Sequence, residues 1–163
     1  KESPQQQLAY ALDIFNAKEY DKAKDEFAKL IRYFPLSKEA AEAQFYIGSC
    51  LEYLDKTYEA FLAYQKVIDK YPFSERQEEI VERQYFIGEK FFNQPQNKTW
   101  EFIVGNRYYL VDIFRKVIEN APYGKYAPLA QYKIGLFLKS VNMYPEAKKE
   151  FAQDLKLAVL GSR

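Results

Sequence analysis

The stretch AAEAQFYIG at residues 40–48 decides the fold, because it returns as APLAQYKIG at residues 127–135. The two stretches share Ala, Ala, Gln, Ile and Gly at the same places, and the final Ile-Gly pair occurs once more at residues 87–88. Recurrence of this kind is the sequence signature of a repeat architecture. In such proteins each unit is a small structural element that stacks on its neighbours.

Prolines and small residues recur at a constant offset. Pro35 and Pro72 stand 37 residues apart, and Pro122 again follows a run of helical character. The same offset of 37 relates three further pairs: Ala11 and Gly48, Ala23 and Ala60, Phe27 and Tyr64. Because the residue before a proline disfavours the right-handed helical conformation, each proline is expected to end a helix.

Each unit is predicted to contain two amphipathic helices joined by a tight turn. A small residue in the first helix lets the second helix approach closely; these residues are Ala11, Gly48, Gly88 and Gly135. The second helix carries a small residue and, one turn later, an aromatic one, in the pairs Ala23/Phe27, Ala60/Tyr64 and Ala147/Phe151. The spacing of four residues places both on one face, where small side chains of one helix meet large ones of the other.

This order of small, small, aromatic and proline, with Tyr20 opening the first turn, resembles the tetratricopeptide repeat. The resemblance implies an all-α, superhelical solenoid of about four helix pairs. We expect one tetratricopeptide repeat domain over residues 1–163, with units of about 4–37, 38–74, 75–124 and 125–160, as part of a longer chain. The alternative is an irregular helical bundle in which the matches arise by chance.

The third unit departs from this pattern. From Gly88 to Leu110, which stands in place of the second-helix alanine, there are 22 residues, whereas the other units have 12. About ten extra residues are therefore predicted near 93–106, as a loop on one face of the array. Trp100 and Phe102 are candidate partner contacts there, because such insertions often serve partners. Equally open is the interpretation that Trp100 folds back and fills a gap between helices.

The composition argues against several classes of function. The net charge is +1, from 24 Lys+Arg and 23 Asp+Glu spread along the chain, so no basic surface for nucleic acid is indicated. Histidine is absent and Cys50 is the single cysteine, which removes the commonest general base and most transition-metal ligands. Cys50 lies in an apolar run and is interpreted as a small buried residue. We therefore expect no catalysis, no cofactor and no metal.

The first helices of the units are expected to line the concave side of the solenoid, where ligands bind. One predicted column contains Leu8, Phe45, Tyr85 and Tyr132, and its neighbours contain Leu12, Ser49, Glu89 and Leu136, then Phe15, Glu52, Phe92 and Lys139. The basic clamp with which some tetratricopeptide proteins hold a C-terminal carboxylate is missing here, apart from Lys139. An aromatic and somewhat acidic groove suits an extended or helical segment with apolar side chains.

The candidate peptide-groove residues are therefore Leu8, Phe15, Phe45, Glu52, Tyr85, Glu89, Phe92 and Tyr132. The alternative is that some of these rings belong to the core, because a small error in the repeat register would turn them away from the groove.

The order of the motifs resembles the BamD-like outer-membrane assembly lipoproteins. The resemblance lies in Tyr10-Ala11, Tyr20-Asp21-Lys22-Ala23, Phe27, Tyr33-Phe34-Pro35, Tyr71-Pro72-Phe73-Ser74 and the lengthened third unit. It implies a lipid-anchored protein on the periplasmic side of the bacterial outer membrane, with the anchor outside residues 1–163. The N-terminal repeats would bind C-terminal signals of unfolded β-barrel precursors, and the C-terminal repeats would bind the barrel-inserting subunit. The lipidated cysteine and the fifth repeat of that family are not among these residues.

Three other functions fit the same residues. The first is a periplasmic adaptor of cell-envelope or division machinery, and the second is the helical accessory region of a larger enzyme. The third is self-assembly through the last unit, whose apolar end has no polar cap: Leu155, Leu157, Val159 and Leu160. A location in the soluble periplasm or in the cytoplasm would accompany these alternatives.

Overall fold

The computed structural model describes residues 3–93 and 100–140 and four further helical positions, 149, 152, 153 and 156. The helices, in chain order, are α1 (Pro4–Asn16), α2 (Tyr20–Tyr33), α3 (Lys38–Tyr53), α4 (Thr57–Lys70), α5 (Gln77–Phe92), α6 (Trp100–Asn120) and α7 (Tyr126–Ser140). Over these ranges every regular element is an α-helix, which confirms the all-α helical-repeat fold. The chain forms two compact units, Lys1–Ile80 and Val81–Arg163.

We refer to α1–α2, α3–α4 and α5–α6 as the first, second and third helix pairs. Serine side chains start the first helix of two of them. Ser3 Oγ accepts the N–H of Gln6 at 3.1 Å, and the Gln6 side chain accepts the N–H of Ser3 at 2.9 Å. Ser37 Oγ accepts the N–H of Ala40 at 3.1 Å at the start of α3. These bonds satisfy backbone donors that have no partner inside a helix.

The prolines end the second helices as predicted. α2 ends at Tyr33, α4 at Lys70 and α6 at Asn120, each two residues before a proline. Because proline has no N–H and restricts the residue before it, the chain must leave the helix at this point. In the unit Lys1–Ile80 the connection between α2 and α3 is short, because α2 ends at Tyr33 and α3 begins at Lys38.

A residue in the left-handed backbone conformation closes the turn between the two helices in each of the first two pairs. Lys18 (φ 64°) and Asp55 (φ 58°) stand at equivalent places, 37 residues apart. In both turns this residue donates its N–H to the carbonyl three residues earlier, and the next residue donates to the carbonyl five residues earlier. The left-handed conformation costs a non-glycine residue ~1–2 kcal/mol. Its recurrence in two different side chains indicates that the turn geometry imposes it.

Glycine brings the two helices of a pair together. A Cβ added to Gly48 would lie 2.5 Å from Cε1 of Tyr64, and a Cβ added to Gly88 would lie 2.7 Å from Cε1 of Phe114. Both aromatic rings are fully buried. The predicted contact between a small residue of the first helix and an aromatic residue of the second is therefore confirmed in the second pair, and the third pair has it as well.

A column of buried glutamines, which sequence analysis missed, ties the helices of a pair together. Each stands four residues before the small residue of a first helix: Gln7, Gln44, Gln84 and Gln131. Gln7 Nε2 donates to the backbone oxygen of Glu26 at 3.3 Å, and Gln44 Nε2 donates to that of Ala63 at 3.1 Å. Gln84 Oε1 accepts from Asn120 Nδ2 at 2.9 Å. A buried amide needs such partners, since leaving it unpaired costs ~1–3 kcal/mol.

The third pair corrects the expectation of a loop near 93–106. Residues 100–106 are helical, and α6 has 21 residues where α2 and α4 have 14. A lengthened second helix therefore takes up at least part of the insertion. Residues 94–99 and the side chains of Trp100 and Phe102 lie outside the described residues, so their predicted partner contact stays a prediction. Ala147, Phe151 and the apolar C-terminal residues also lie outside them.

Candidate functional site

The predicted groove residues differ widely in exposure. Phe45 is 2% exposed and Tyr85 is 5% exposed, so both rings belong to the core and offer no surface to a peptide. Tyr132 is 45% exposed. The remaining members are half-buried, namely Leu8, Phe15, Glu52, Glu89 and Phe92. Binding by these residues stays a prediction, and the covered rings need a structural explanation.

The ring of Phe45 is covered by Arg76. The guanidinium carbon lies 4.3 Å from the ring centroid. Arg76 Nε donates to both carboxylate oxygens of Glu42 at 2.9 and 3.0 Å, and Nη1 donates to Glu79 at 2.7 Å. Above all the hydrogen bond to Glu42 raises the pKa of Arg76 above its usual value. The guanidinium is therefore fixed over the ring by two carboxylates and by the cation–π attraction.

The ring of Tyr85 is covered in an equivalent way by Tyr126. The two rings stack with centroids 4.8 Å apart and planes at 28°. Tyr126 donates its hydroxyl to Glu82, and this hydrogen bond raises the pKa of Tyr126. Glu82 precedes Tyr85 by three residues, as Glu42 precedes Phe45. We call this arrangement a ring cover: a carboxylate three residues before a ring holds a planar side chain over it.

The two predicted groove acids are held by hydrogen bonds. Glu52 accepts the hydroxyl of Tyr64, which also lies 3.2 Å from Ser49 Oγ. Glu89 accepts the hydroxyl of Tyr85 at 3.1 Å and pairs with Lys133 at 2.9 Å. The bond to Lys133 lowers the pKa of Glu89, and burial raises the pKa of Tyr85 to about 12. The charge of Glu89 is therefore compensated by Lys133, whereas Glu52 is bound to a neutral hydroxyl.

An aromatic surface remains open in the unit Lys1–Ile80. Phe15 packs edge-on against Tyr20, Tyr46 and Tyr53, with centroids 5.4, 5.2 and 5.8 Å away. Tyr20 and Tyr53 stack in parallel at 4.4 Å, and Tyr53 is 63% exposed. We call these four rings the Phe15 cluster. Sequence analysis placed Phe15 on the surface but missed Tyr46 and Tyr53, whose positions lie one residue beside the predicted columns.

A pocket of about 440 Å³ opens near the ring cover of Phe45. Its lining residues are Lys38, Ala41, Glu42, Phe73, Ser74 and Glu75. Phe73 is largely exposed, so the wall of the pocket presents an aromatic ring flanked by charges of both signs. Its size and its apolar wall suit a single apolar side chain of a partner better than a cofactor, which usually needs convergent polar groups.

The described residues hold little other chemistry. Burial raises the pKa of the Cys50 thiol to about 12, so the thiolate, which is the reactive form, is disfavoured. Among these residues no group of three or more acidic, cysteine or histidine side chains is placed to bind a metal ion. Within the same ranges, no helix combines the length and the apolar character needed to cross a membrane.

Recurring helix pairs with an exposed aromatic surface are typical of helical-repeat scaffolds that bind other proteins. Residues 7–37 and 42–74, which lie in the first and second helix pairs, match the family model of the tetratricopeptide repeat. This fold is typically non-catalytic. No curated protein matches the chain.

Solved structures share the fold over nearly the whole chain. A crystal structure of MamA is 18% identical with a TM-score of 0.53, covering 96% of this chain and 78% of that one. Another crystal structure of MamA protein is 19% identical with a TM-score of 0.53, covering 95% and 73%. MamA 41-end from Desulfovibrio magneticus RS-1 is 13% identical with a TM-score of 0.50, covering 96% and 76%. At such identities the likeness concerns the fold alone.

Proposed function

We propose that the protein is a non-catalytic scaffold of the machinery that inserts β-barrel proteins into the bacterial outer membrane. In this role it binds unfolded precursor segments and partner subunits. The observation that carries the proposal is the Phe15 cluster, a partly exposed aromatic surface on tetratricopeptide repeats. The order of turns and aromatic-proline ends, which resembles the BamD-like lipoproteins, supports the choice of this machinery.

The physical chemistry of the Phe15 cluster favours apolar and aromatic ligands. Tyr53 is exposed but already stacked on Tyr20, so binding a ligand to its free face costs little additional side-chain entropy. An unfolded precursor segment exposes aromatic side chains that a folded β-barrel would bury against lipid. Stacking such a ring on Tyr53 removes apolar surface of both partners from water. The pocket beside Phe73 offers a second apolar contact in the same unit.

The direct test uses a peptide with the C-terminal sequence of an outer-membrane β-barrel protein, with a copy in which every aromatic residue is alanine as its control. We expect the aromatic peptide to bind more tightly, and Tyr53→Ala to weaken it by about tenfold, equivalent to ~1.4 kcal/mol. The matched control is Tyr33→Ala, which removes a tyrosine that is 69% exposed elsewhere in the unit. Equal affinity of both peptides for the wild type would contradict the proposal.

We propose the periplasmic face of the outer membrane as the location, with a lipid anchor on the full-length protein. The segment encoded before Lys1 tests this proposal directly. A signal peptide followed by a cysteine that incorporates labelled palmitate in cells would support it. Full-length protein that carries no lipid and fractionates with the cytoplasm would contradict it, while leaving peptide binding untouched.

A further inference from the structure

The pocket beside Phe73 lies between two equivalent positions of the repeat. The Leu-Ser-Lys sequence at residues 36–38 corresponds to Phe-Ser-Glu at residues 73–75, at the repeat offset of 37. Lys38 and Glu75 both line the pocket, so the same repeat position supplies it with two opposite charges. Both residues are exposed, and neither forms an ion pair with the residues that the structure describes.

The other carboxylate at the pocket, Glu42, is already occupied. It accepts hydrogen bonds from Nε of Arg76 at 2.9 and 3.0 Å, and Nη1 of Arg76 donates to Glu79 at 2.7 Å. The guanidinium therefore compensates Glu42 and Glu79, and it does not pair with Glu75. Lys38 and Glu75 are left as the two charges of the pocket with which a ligand can pair.

The aromatic wall of the pocket is held in place by its own loop. Phe73 packs edge-on against the buried ring of Tyr71, with centroids 6.0 Å apart and planes at 81°. Ser74 donates its N–H to the Tyr71 carbonyl at 2.9 Å, and its hydroxyl accepts the N–H of Arg76 at 3.3 Å. The ring of Phe73 nevertheless stays 56% exposed. A ring that is both fixed and exposed binds an apolar side chain with little loss of side-chain entropy.

We propose that this pocket binds a polypeptide segment in which an aromatic residue stands between an acidic and a basic residue. The aromatic ring packs on Phe73, the carboxylate pairs with Lys38, and the basic group pairs with Glu75. The proposal deepens the proposed scaffold function and rests on it, since it names the chemistry of one bound segment. Alternate residues of an extended segment lie on one face ~7 Å apart, so such a segment presents all three groups to the pocket together.

Charge complementarity distinguishes this occupant from others. A segment with acidic residues on both sides of the ring places one carboxylate beside Glu75, and a segment with two basic residues places one cation beside Lys38. Exposed ion pairs are weak, so each mismatch is expected to weaken binding by about threefold. The aromatic ring therefore provides most of the affinity, and the two charges provide the selectivity.

The test uses a fluorescein-labelled peptide, Gly-Glu-Ser-Phe-Ser-Lys-Gly, and three altered forms: an acidic peptide with Glu for Lys, a basic peptide with Lys for Glu, and one with Ala for Phe. Fluorescence anisotropy with the full chain gives the affinities. We expect the parent peptide to bind about threefold more tightly than the acidic or basic peptide, and about fivefold more tightly than the Ala peptide.

Two variants of the protein test the aromatic contact. Phe73→Ala is expected to weaken binding of the parent peptide by about fivefold. The matched control is Tyr123→Ala, which removes another exposed aromatic residue that directly follows a proline, and it should leave the affinity unchanged.

Charge reversal tests the pairing with residues that the repeat already accepts. Lys38→Glu and Glu75→Lys each introduce the residue that stands at the equivalent position one repeat away. We expect Lys38→Glu to make the basic peptide the tightest ligand, and Glu75→Lys to make the acidic peptide the tightest. Lys56→Glu is the matched control, because it changes the net charge equally and Glu19 stands at that position one repeat earlier. It should keep the wild-type order of the peptides.

The outcomes separate this proposal from the scaffold function. Absence of binding by the wild type, equal affinities for the four peptides, or an order that Lys38→Glu and Glu75→Lys leave unchanged would overturn the proposal. Self-association that Phe73→Ala abolishes, without peptide binding, would assign the pocket to a second copy of the chain and would overturn it as well. The scaffold function is refuted when the β-barrel peptide shows no aromatic-dependent binding, and it survives when that peptide binds but ignores Phe73→Ala.

Discussion

The second and third helix pairs each bury one phenylalanine ring and one tyrosine ring in equivalent positions. The tyrosine lies on the second helix in the second pair and on the first helix in the third pair. In the second pair, Phe45 of the first helix and Tyr64 of the second have centroids 5.4 Å apart, with planes at 46°. In the third pair, Tyr85 and Phe114 lie 5.7 Å apart at 54°. The ring packing is thus nearly the same, although the hydroxyl has moved from the second helix to the first.

The hydrogen-bond acceptor moves with the hydroxyl. Glu52 accepts from Tyr64 in the second pair, and its counterpart in the third pair is the apolar Phe92. Glu89 accepts from Tyr85 in the third pair, and its counterpart in the second pair is Ser49. A buried hydroxyl without a partner costs ~1–3 kcal/mol, so ring and carboxylate have to change together. The repeat therefore keeps the packing of the two rings, while the hydroxyl group and the carboxylate that accepts from it change position together.

The largest expected effect comes from the glycines beneath these rings. Gly48→Ala is expected to cost ~3 kcal/mol and Gly88→Ala ~1–2 kcal/mol, as overpacking of a close contact. The costs differ because the hydroxyl of Tyr64 is bound to Glu52, whereas Phe114 has no such bond and can shift. Urea unfolding of both variants measures this. Equal costs would mean that the hydrogen bond does not restrain the ring.

The side chain that covers Phe45 is the charged Arg76, whereas the one that covers Tyr85 is the neutral Tyr126. Replacing each with alanine tests this difference. Arg76→Ala is expected to lower the free energy of unfolding by ~2 kcal/mol, because Phe45 loses a cation and Glu42 loses its bidentate partner. The loss should shrink at high salt, whereas that of Tyr126→Ala should change little. Arg76→Lys is the control, since it keeps the charge without the planar group. Wild-type stability in this control would contradict the stacking role.

Alkaline pH should destabilise the third pair through Tyr85. Its pKa in the folded protein is raised to about 12 from a usual value of 10.0, so the stabilisation is complete below pH 10 and is lost as pH rises toward 12. At pH 11 the loss amounts to ~1.4 kcal/mol. Tyr85→Phe should flatten the stability curve in this window. Cys50 titrates in both proteins, so the difference between the two curves isolates Tyr85, and parallel curves would contradict the assignment.

The smallest expected effect concerns the hydroxyl alone. Tyr64→Phe removes the contacts of the hydroxyl with Glu52 and Ser49 and is expected to cost ~1 kcal/mol. The reverse change, Phe114→Tyr, adds a hydroxyl where the counterpart of Glu52 is the apolar Phe92, and the counterpart of Ser49, Glu89, is already bound to Tyr85 and Lys133, so it should destabilise. Thermal unfolding of both variants provides the measurement. A stabilising Phe114→Tyr would show that the third pair has an acceptor for this hydroxyl.

The sequence predicted the features that recur locally. The helix ends before proline, the glycine under Tyr64 and the buried Cys50 all follow from neighbours within the same unit. The ring covers were missed because Arg76 lies 34 residues from Glu42 and belongs to the start of the next first helix. No local pattern shows that such a side chain will lie over Phe45, so a core ring was interpreted as groove surface.

The insertion was misread for a related reason. The run from Trp100 to Val104 is apolar except for Glu101, and a short apolar run indicates burial without distinguishing a helix from a loop. The lengthened α6 resolves this ambiguity for residues 100–106. Tyr132 was predicted as equivalent to Phe45 and Tyr85, and its higher exposure could not be inferred from the shared repeat position.

The glutamine column has a consequence for how such a protein diverges. Gln7 and Gln44 each grip the main chain of the facing helix, and every amino acid provides a carbonyl oxygen at that place. The residues that supply these oxygens, Glu26 and Ala63, differ in charge and size, yet both backbone bonds form, and Gln7 donates to the Glu26 carboxylate as well. Substitutions at these two positions can therefore accumulate without loss of the backbone hydrogen bond, and the exposed surface of these two helices can change while the pairing of the helices is kept.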